Sequence, residues 1–438
     1  MRAYTPVLPY AMLLLAAACA GAERDPGQTL ARMREIVRDE AANLPNYTCV
    51  QTIDRVFLRP SNDKLPQSCA AVGDLKRLGR YSLAPARADR FRLDVRIGGG
   101  KEMFSWVGAS RFEDRPLHDL IGFGPTSTGS FGGLLLAVFE DAPEFRYEGA
   151  KTANGRRGYA YSFRVPVERS HHTFYVRHGS QKIIAYEGTV LADPETGTPA
   201  QLTVVADQLP ADAACCRFAL ELNYRHMRIG SREFLLPFEA IQRFAAPGGE
   251  EVENTVTFSS CRAYGAESIV AYEGAPVTEG AATAAPIAPH PPEAPAGLPV
   301  SIALAGAIDS AVAAAGDPFT GRLARPVLDK SRNVIAPEGA LVRGRIMQVE
   351  RVMRPERVTF RLGIETVEIG GVEVPFRLAA KNEPAAPKGA SGGLQQRGVA
   401  IGEFPRWVPG NHITVQCSGN RCVLPIGFRT EWVTPWRP

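Results

Sequence analysis

The chain lacks any run approaching the ~20 consecutive apolar residues that a membrane-spanning helix requires, so no integral helical span is expected. It lacks a strong charge of either sign. A formal net charge of +4 over 438 residues is too small for a nucleic-acid-binding surface, and no nucleic-acid partner is expected. It lacks Cys-x-x-Cys pairs with accompanying histidine pairs, the spacing that gathers four ligands around zinc, so neither a metal nor any other cofactor is expected. The loop from Gly122 to Ser130 places Gly124 and Gly129 as a phosphate-binding loop would. The lysine such a loop needs is missing, with Ser130-Phe131 in its place.

Histidines are few, seven in all, and they are where catalysis would have to start. His118-Asp119 lies in a stretch read as loop and pairs a base with an orienting carboxylate, but no Gly-x-Ser-x-Gly elbow stands beside it. Ser170-His171-His172 and His178 lie on or beside one strand pattern, where His172, Phe174, Val176 and His178 would share a face. They read as edge or surface histidines. Glu113-Asp114 and Glu140-Asp141 could act as a paired acid and base. Charged helix and loop ends account for them more simply. No catalytic residue is assigned, and a non-enzymatic protein is expected.

What is present begins with an export segment. Arg2 supplies a basic start and Ala11–Ala18 an apolar core of signal-peptide length. Ala20-Gly21-Ala22 has the small-x-small pattern of a cleavage site. Residues 1–22 are therefore expected to be a signal peptide, placing the protein in the periplasm or outside the cell. A second reading acylates Cys19, which follows Ala17-Ala18, and would tether the protein to a membrane as a lipoprotein.

Seven further cysteines, at 49, 69, 215, 216, 261, 417 and 422, read as disulfide candidates in an oxidising compartment. Cys417 and Cys422 suit a clasp across a turn. Cys49 and Cys69 flank a polar, proline-containing stretch they would close as a loop. Cys261 then takes Cys215 or Cys216 and leaves the other free.

The fold class is expected to be mainly β with a few helices (α+β), in two modules. A helix opens residues 23–270: Asp25-Pro26-Gly27-Gln28 has the form of a capping box, and Leu30, Met33, Val37 and Leu44 recur at helical spacing up to Pro45. Beyond it the period becomes two. Phe91, Leu93, Val95 and Ile97 alternate with Arg90, Arg92, Asp94 and Arg96, and similar stretches recur to residue 264 between turn signals. A second helix is predicted over Phe131–Phe139. The module reads as a large antiparallel half-barrel sheet with helices packed on one face. Residues 271–299, rich in Ala and Pro, form a semi-rigid linker. Residues 300–438 form a small β-barrel or sandwich, with 421–426 as hairpin partner of 411–417 and a long loop at 381–397.

Residues 182–264 resemble the later strands of the half-barrel carriers that move lipoproteins through the bacterial periplasm. The matching features are Tyr186-Glu187-Gly188-Thr189-Val190, a hairpin at Asp193–Gly197, a strand through Leu202 and a closing strand at Thr255–Phe258. Leu44-Pro45-Asn46-Tyr47-Thr48-Cys49 and Phe234-Leu235-Leu236-Pro237 resemble a group of secreted soil-bacterial proteins to which no activity is attached. Ile308-Asp309-Ser310, Gly316-Asp317-Pro318-Phe319 and the stretch Val334–Gly344 resemble the β-barrel domain of the outer-membrane channel component of type IV secretion systems. The apolar helix pair of that component is missing, so only the fold is implied.

An exported β-rich chain without a catalytic constellation is expected to be a carrier of a lipid or other hydrophobic ligand, with a C-terminal domain docking to an envelope protein. Two further readings stand beside it. One is a structural or adhesive assembly protein using exposed strand edges. The other is a hydrolase built on His118 or on His171/His172.

Overall fold

The computed structural model describes residues 24–61, 66, 68–98, 101–109, 112, 117–121, 124–127, 133–175, 180–264, 295–381 and 411–435, with His118, Asp119 and Tyr175 by backbone alone. The predicted leader with Cys19, nearly all of the Ala/Pro-rich linker, Glu113-Asp114, His178, Phe131 and most of the 381–397 loop lie outside the described residues.

Helix α1 (Pro26–Asn43) begins where capping chemistry places it. Asp25 accepts a hydrogen bond from the Gly27 N–H at 3.1 Å, and Pro26 occupies the first turn, where a missing N–H costs nothing. Its buried side, Thr29, Met33 and Val37, lies on the sheet. Strand β1 (Tyr47–Pro60), helix α2 (Cys69–Arg77), strands β2 (Leu83–Gly98) and β3 (Lys101–Trp106), and helices α3 (Leu117–Ile121) and α4 (Leu134–Asp141) follow. Then come β4 (Phe145–Ala153), β5 (Arg156–Val165), β6 (Thr173–Tyr175), β7 (Gln181–Ile183), β8 (Tyr186–Ala192), β9 (Pro199–Ala206), β10 (Arg217–Ile229), β11 (Arg232–Ala245) and β12 (Glu251–Ala263).

The main strands pair antiparallel in the order β4-β5-β8-β9-β10-β11-β12-β1-β2-β3. Each is the chain neighbour of the next except at β5–β8, where β6 and β7 intervene, and at β12–β1, where the last strand returns to the first. Period-two patterning sets the register: Phe91, Leu93, Val95 and Ile97 of β2 are all buried, and a slip of one residue would expose the whole set. Helices α1 and α4 pack on each other, and their buried residues join the same apolar cluster as the sheet's inner face.

A second apolar cluster, from Leu298 to Trp432, lies on strands β13 (Pro299–Leu304), β14 (Ile308–Asp309), β15 (Pro318–Leu323), β16 (Val327–Leu328), β17 (Val334–Ala336), β18 (Leu341–Met353), β19 (Glu356–Ile369), β20 (Val372–Pro375), β21 (Ala379–Ala380), β22 (Ile413–Ser418), β23 (Val423–Leu424) and β24 (Arg429–Val433). Its main pairing order is β22-β19-β18-β15-β13-β24-β21.

The two clusters share a sheet. Along one edge, β2 pairs with β3 through residues 93–98 and with β18 through residues 87–89. Ala315 completes the join, donating to the Arg90 carbonyl at 2.8 Å and accepting from the Arg92 N–H at 2.7 Å. Gly316, at φ +101°, lies so close to the Arg92 carbonyl that any side chain would collide with it. Arg345, almost fully buried, ties Val107 O and Gly316 O at 2.8 and 2.7 Å while pairing with Glu365 at 2.7 Å. Arg92 pairs with Asp317 at 2.6 Å. The C-terminal strands are thus bonded to the first sheet rather than held to it through a linker alone.

Four expectations need correction. Cys49 bonds Cys261 and Cys69 bonds Cys216, so neither Cys49–Cys69 nor a bond from Cys261 to Cys215 or Cys216 exists. The cause is topological: β1 lies beside β12, which puts Cys49 against Cys261 across 212 residues. Cys215 is the free thiol, and the third bond joins Cys417 to Cys422. The stretch 421–426 does not pair with β22; its Val423–Leu424 pairs with Ile308–Asp309. The predicted strand over 182–191 is two strands, because Ile184, only 2% exposed, turns into the core between β7 and β8. Helix α2 stands where no element was predicted, and α3 stands where His118-Asp119 was read as loop. The first is announced by Ser68, whose hydroxyl accepts from the Ala71 N–H at 3.2 Å.

Candidate ligand site

Helix α4 is built of Leu134-Leu135-Leu136-Ala137-Val138-Phe139-Glu140-Asp141 and has no polar stripe along its first six residues. Leu134 and Val138 are buried, whereas Leu135, Leu136 and Phe139 are only half-buried. A helix apolar on more than one side needs a second apolar surface to cover it. Part of that surface is a cleft formed by Val37 and Ala41 of α1, Leu44 at its C-cap, the three leucines of α4, and Leu235, Leu236 and Pro237 of β11. Its free volume is about 40 Å³, close to the room one water molecule takes. Glu40 stands at its α1 side and accepts from the Leu235 N–H at 3.1 Å, pinning α1 to the start of β11.

Tyr224 and Leu235 also line a second, larger cavity of about 340 Å³, reached from the ends of β5, β8 and β10. Burial pushes the Tyr224 phenol well above its ordinary range, so it stays neutral. The apolar cleft and the larger cavity therefore abut, separated by one aromatic ring and one leucine.

Elsewhere on the sheet's inner face lies a polar, enclosed row. The register aligns Asp89, Arg55, Asn254 and Gln242 in one row across β2, β1, β12 and β11. Arg55 and Asp89 form a two-pronged ion pair at 2.9 and 2.8 Å, each side chain 1% exposed, with the guanidinium over Phe57 and Phe91. Beside them, burial lowers the Arg87 pKa, opposed by Glu350 and Asp89. Asn254 donates to the Pro125 carbonyl at 2.9 Å. Gln242 accepts from the Ser127 N–H at 3.2 Å and donates to the Ser127 carbonyl at 3.3 Å. The segment Gly124–Ser127 is thus stapled across the sheet's inner face, with Gly124 against the Arg55 guanidinium.

At its C-terminal end α4 is anchored by Asp141, which is 2% exposed. Its carboxylate meets the His171 Nδ1 at 2.6 Å, accepts from the His171 N–H at 3.1 Å and accepts from the Tyr186 hydroxyl at 3.0 Å. Arg169 donates to the Asp141 carbonyl at 2.8 Å. His172, packed between Tyr186 and Phe218, has its pKa lowered by burial, an effect Asp141 opposes. The structure therefore brings together two of the singled-out pairs, Glu140-Asp141 and His171-His172. Asp141 fixes the His171 ring and leaves its outer nitrogen in solvent, since the side chain is 84% exposed. His118 and Asp119 fall on α3, not in a loop, and their side chains lie outside the described residues. Among the described residues no group of three metal-ligating side chains gathers, and no helix is long and apolar enough to cross a membrane.

The buried row was missed in the sequence, though a signal existed. In Cys49-x-Gln51-x-Ile53-x-Arg55, Val252-x-Asn254-x-Val256 and Ala240-x-Gln242-x-Phe244, a polar residue occupies an inward position of an alternating strand.

No family model and no curated protein matches the sequence. Among solved structures the chain is similar to a LolA superfamily protein of Nitrosomonas europaea, at 8% identity and a TM-score of 0.24, over 55% of this chain and 93% of that one. It is also similar to a DUF1329 family protein of Desulfovibrio piger (9%, 0.25, 54% and 93%) and to the lipoprotein LppX of Mycobacterium tuberculosis (12%, 0.19, 54% and 95%). At scores this low none of them carries a fold or a ligand over to this chain.

Proposed function

We propose that this chain is an exported, non-enzymatic carrier that takes the acyl chain of a hydrophobic ligand between α1, α4 and the β10–β11 hairpin. The observation that carries the reading is the apolar cleft under the half-buried leucines of α4. The cleft is too small to hold a chain as it stands, so α4 must move away from α1 to admit one. Exposing Leu134 and Val138 costs about 1.5–3 kcal/mol each, while each ligand methylene buried contributes about 0.8 kcal/mol. Eight methylenes already offset the opening. The row from Asp89 to Gln242 stays in place.

Residues 23–270 are the carrier module. Residues 300–438, joined to it through residues 271–299, present a fixed second surface for an envelope partner. Anchoring through Cys19 would place both at a membrane, and Cys19→Ser would then release the protein into the soluble fraction.

The test is a titration of the purified full chain with a fluorescent fatty acid, together with mass spectrometry of its organic extract. The chain should bind the probe, and Leu135→Glu should weaken binding at least tenfold. A wild-type protein that ignores the probe and yields no extractable ligand would end the carrier reading. The Asp141–His171 pair favours a second reading, a hydrolase with His171 as base. His171→Ala would then abolish turnover in a broad esterase and glycosidase screen, and a wild-type chain inactive across that screen retires it.

A further inference from the structure

Resting on the carrier reading, we infer that the ligand is an amphiphile with a single anionic head, a phosphate or carboxylate, seated in the 340 Å³ cavity while its chain enters the cleft. The cavity is of ligand-binding size, whereas the cleft is not. The two share Tyr224 and Leu235 as a common wall, so a ligand with its head in one reaches the other with its tail once these two side chains shift.

The cavity rim carries Arg156, Arg157, Arg225 and His226 against a single acid, Asp193. That acid is already engaged. Its Oδ1 accepts from the Glu195 N–H, the Thr196 N–H and the Thr196 hydroxyl at 2.9, 2.8 and 3.0 Å, all within its own turn; burial raises its pKa, but these hydrogen bonds and the charge of Arg24 outweigh that and hold it below the usual range. Arg156 and Arg225 have no ion-pair partner among the described residues. Arg225 lies over the Phe238 ring at 4.7 Å. Guanidinium groups without an ion-pair partner beside an apolar wall favour a planar or tetrahedral oxyanion that can accept two hydrogen bonds from one arginine.

The two residues on which the inference rests are exposed, so replacing them leaves the core intact. Isothermal titration of the full chain with dodecyl phosphate, dodecanoate, dodecanol and dodecyltrimethylammonium, each as monomer, reads the head preference at constant chain length. Both anions are expected to bind about tenfold or more tighter than dodecanol, the size of a charge-assisted hydrogen bond at an open site, and the cation weakest. R156Q/R225Q should bring dodecyl phosphate down to the level of dodecanol and leave dodecanol unchanged. Equal binding of all four amphiphiles would overturn the inference while leaving the carrier reading intact. Inorganic phosphate binding as tightly as dodecyl phosphate would also overturn it, making the cavity a free-anion site. Binding by none of them would overturn the carrier reading itself.

Discussion

Replacing Asp89 alone should be among the most damaging single substitutions in the first sheet. The residue sits at the junction of β1, β2 and β18, opposite Arg55 in one register and Glu350 in the other. Its carboxylate holds Arg55 through two hydrogen bonds in a site from which water is excluded. Asp89→Leu would leave the guanidinium charged between Phe57 and Phe91 without its carboxylate. Removing one partner of a buried ion pair costs about 3–5 kcal/mol. With a urea m-value near ~3 kcal/mol/M, the unfolding midpoint should fall by about 1–2 M. The double replacement Arg55→Met with Asp89→Leu removes both charges while keeping the volume, and should recover most of that loss, because a buried pair and a well-packed apolar pair are close in energy. Circular dichroism through a urea series on wild type, both single variants and the double variant closes the cycle. A loss below about 1 kcal/mol for Asp89→Leu, or a double variant no better than the worse single, would refute the claim that desolvation dominates here.

Other outcomes follow from the same structure. Losing the Cys69–Cys216 bond, which spans 147 residues, should cost up to about 5 kcal/mol, against about 2 for the Cys417–Cys422 bond five residues apart; thermal melts of Cys69→Ser and Cys417→Ser rank them, and the reverse order would contradict the chain-entropy argument. The Cys215 thiol is pushed up to about 11 by burial, so at neutral pH it should resist iodoacetamide in the folded chain and react within minutes once unfolded, as followed by intact mass. His172 should make stability acid-sensitive. Its pKa is lowered by burial in the fold, so the unfolded chain takes up a proton first as pH falls through the ordinary value of 6.5. Stability is therefore full above that pH and declines below it, by up to about 1.4 kcal/mol per pH unit until the folded chain also protonates. His172→Phe keeps the ring beside Phe218 and should flatten the profile between pH 6.5 and 5; an unchanged slope would assign it to other groups.

How much of this was legible follows from the range of each interaction. The cap at Asp25, the helix behind it and the alternation of β2 are local, and they stand where the pattern placed them. The helix predicted over Phe131–Phe139 has its described part shifted to Leu134–Asp141, since leucine-rich stretches mark an element better than its ends. Helix α2 was hidden because nine residues with one buried side chain, Val72, carry almost no periodic signal. What depended on distant partners was not legible. Nothing near Cys49 says that the strand 200 residues later closes beside it, and the bond to Cys261 is a consequence of that closure. The joining of β18 to β2 is of the same kind.

The buried polar row shows why site and fold must be read together. On its own strand Arg55 is one charged residue among many, and Asn254 and Gln242 are ordinary amides. Only the order β2-β1-β12-β11 sets them side by side, and only their burial turns that alignment into a constraint, because each must find a partner or destabilise the sheet. Asp89 answers Arg55. The backbone of Pro125 and Ser127 answers the N–H groups of the two amides, leaving the Asn254 Oδ1 without a partner among the described residues. The polar groups thus hold one part of the interior rigid, while another, α4 on α1, is held by apolar packing and by Asp141 at one end. In a molecule built this way the apolar part is the one that yields to a ligand: packing lost there is recovered on an acyl chain, whereas a hydrogen bond lost in the polar part is not.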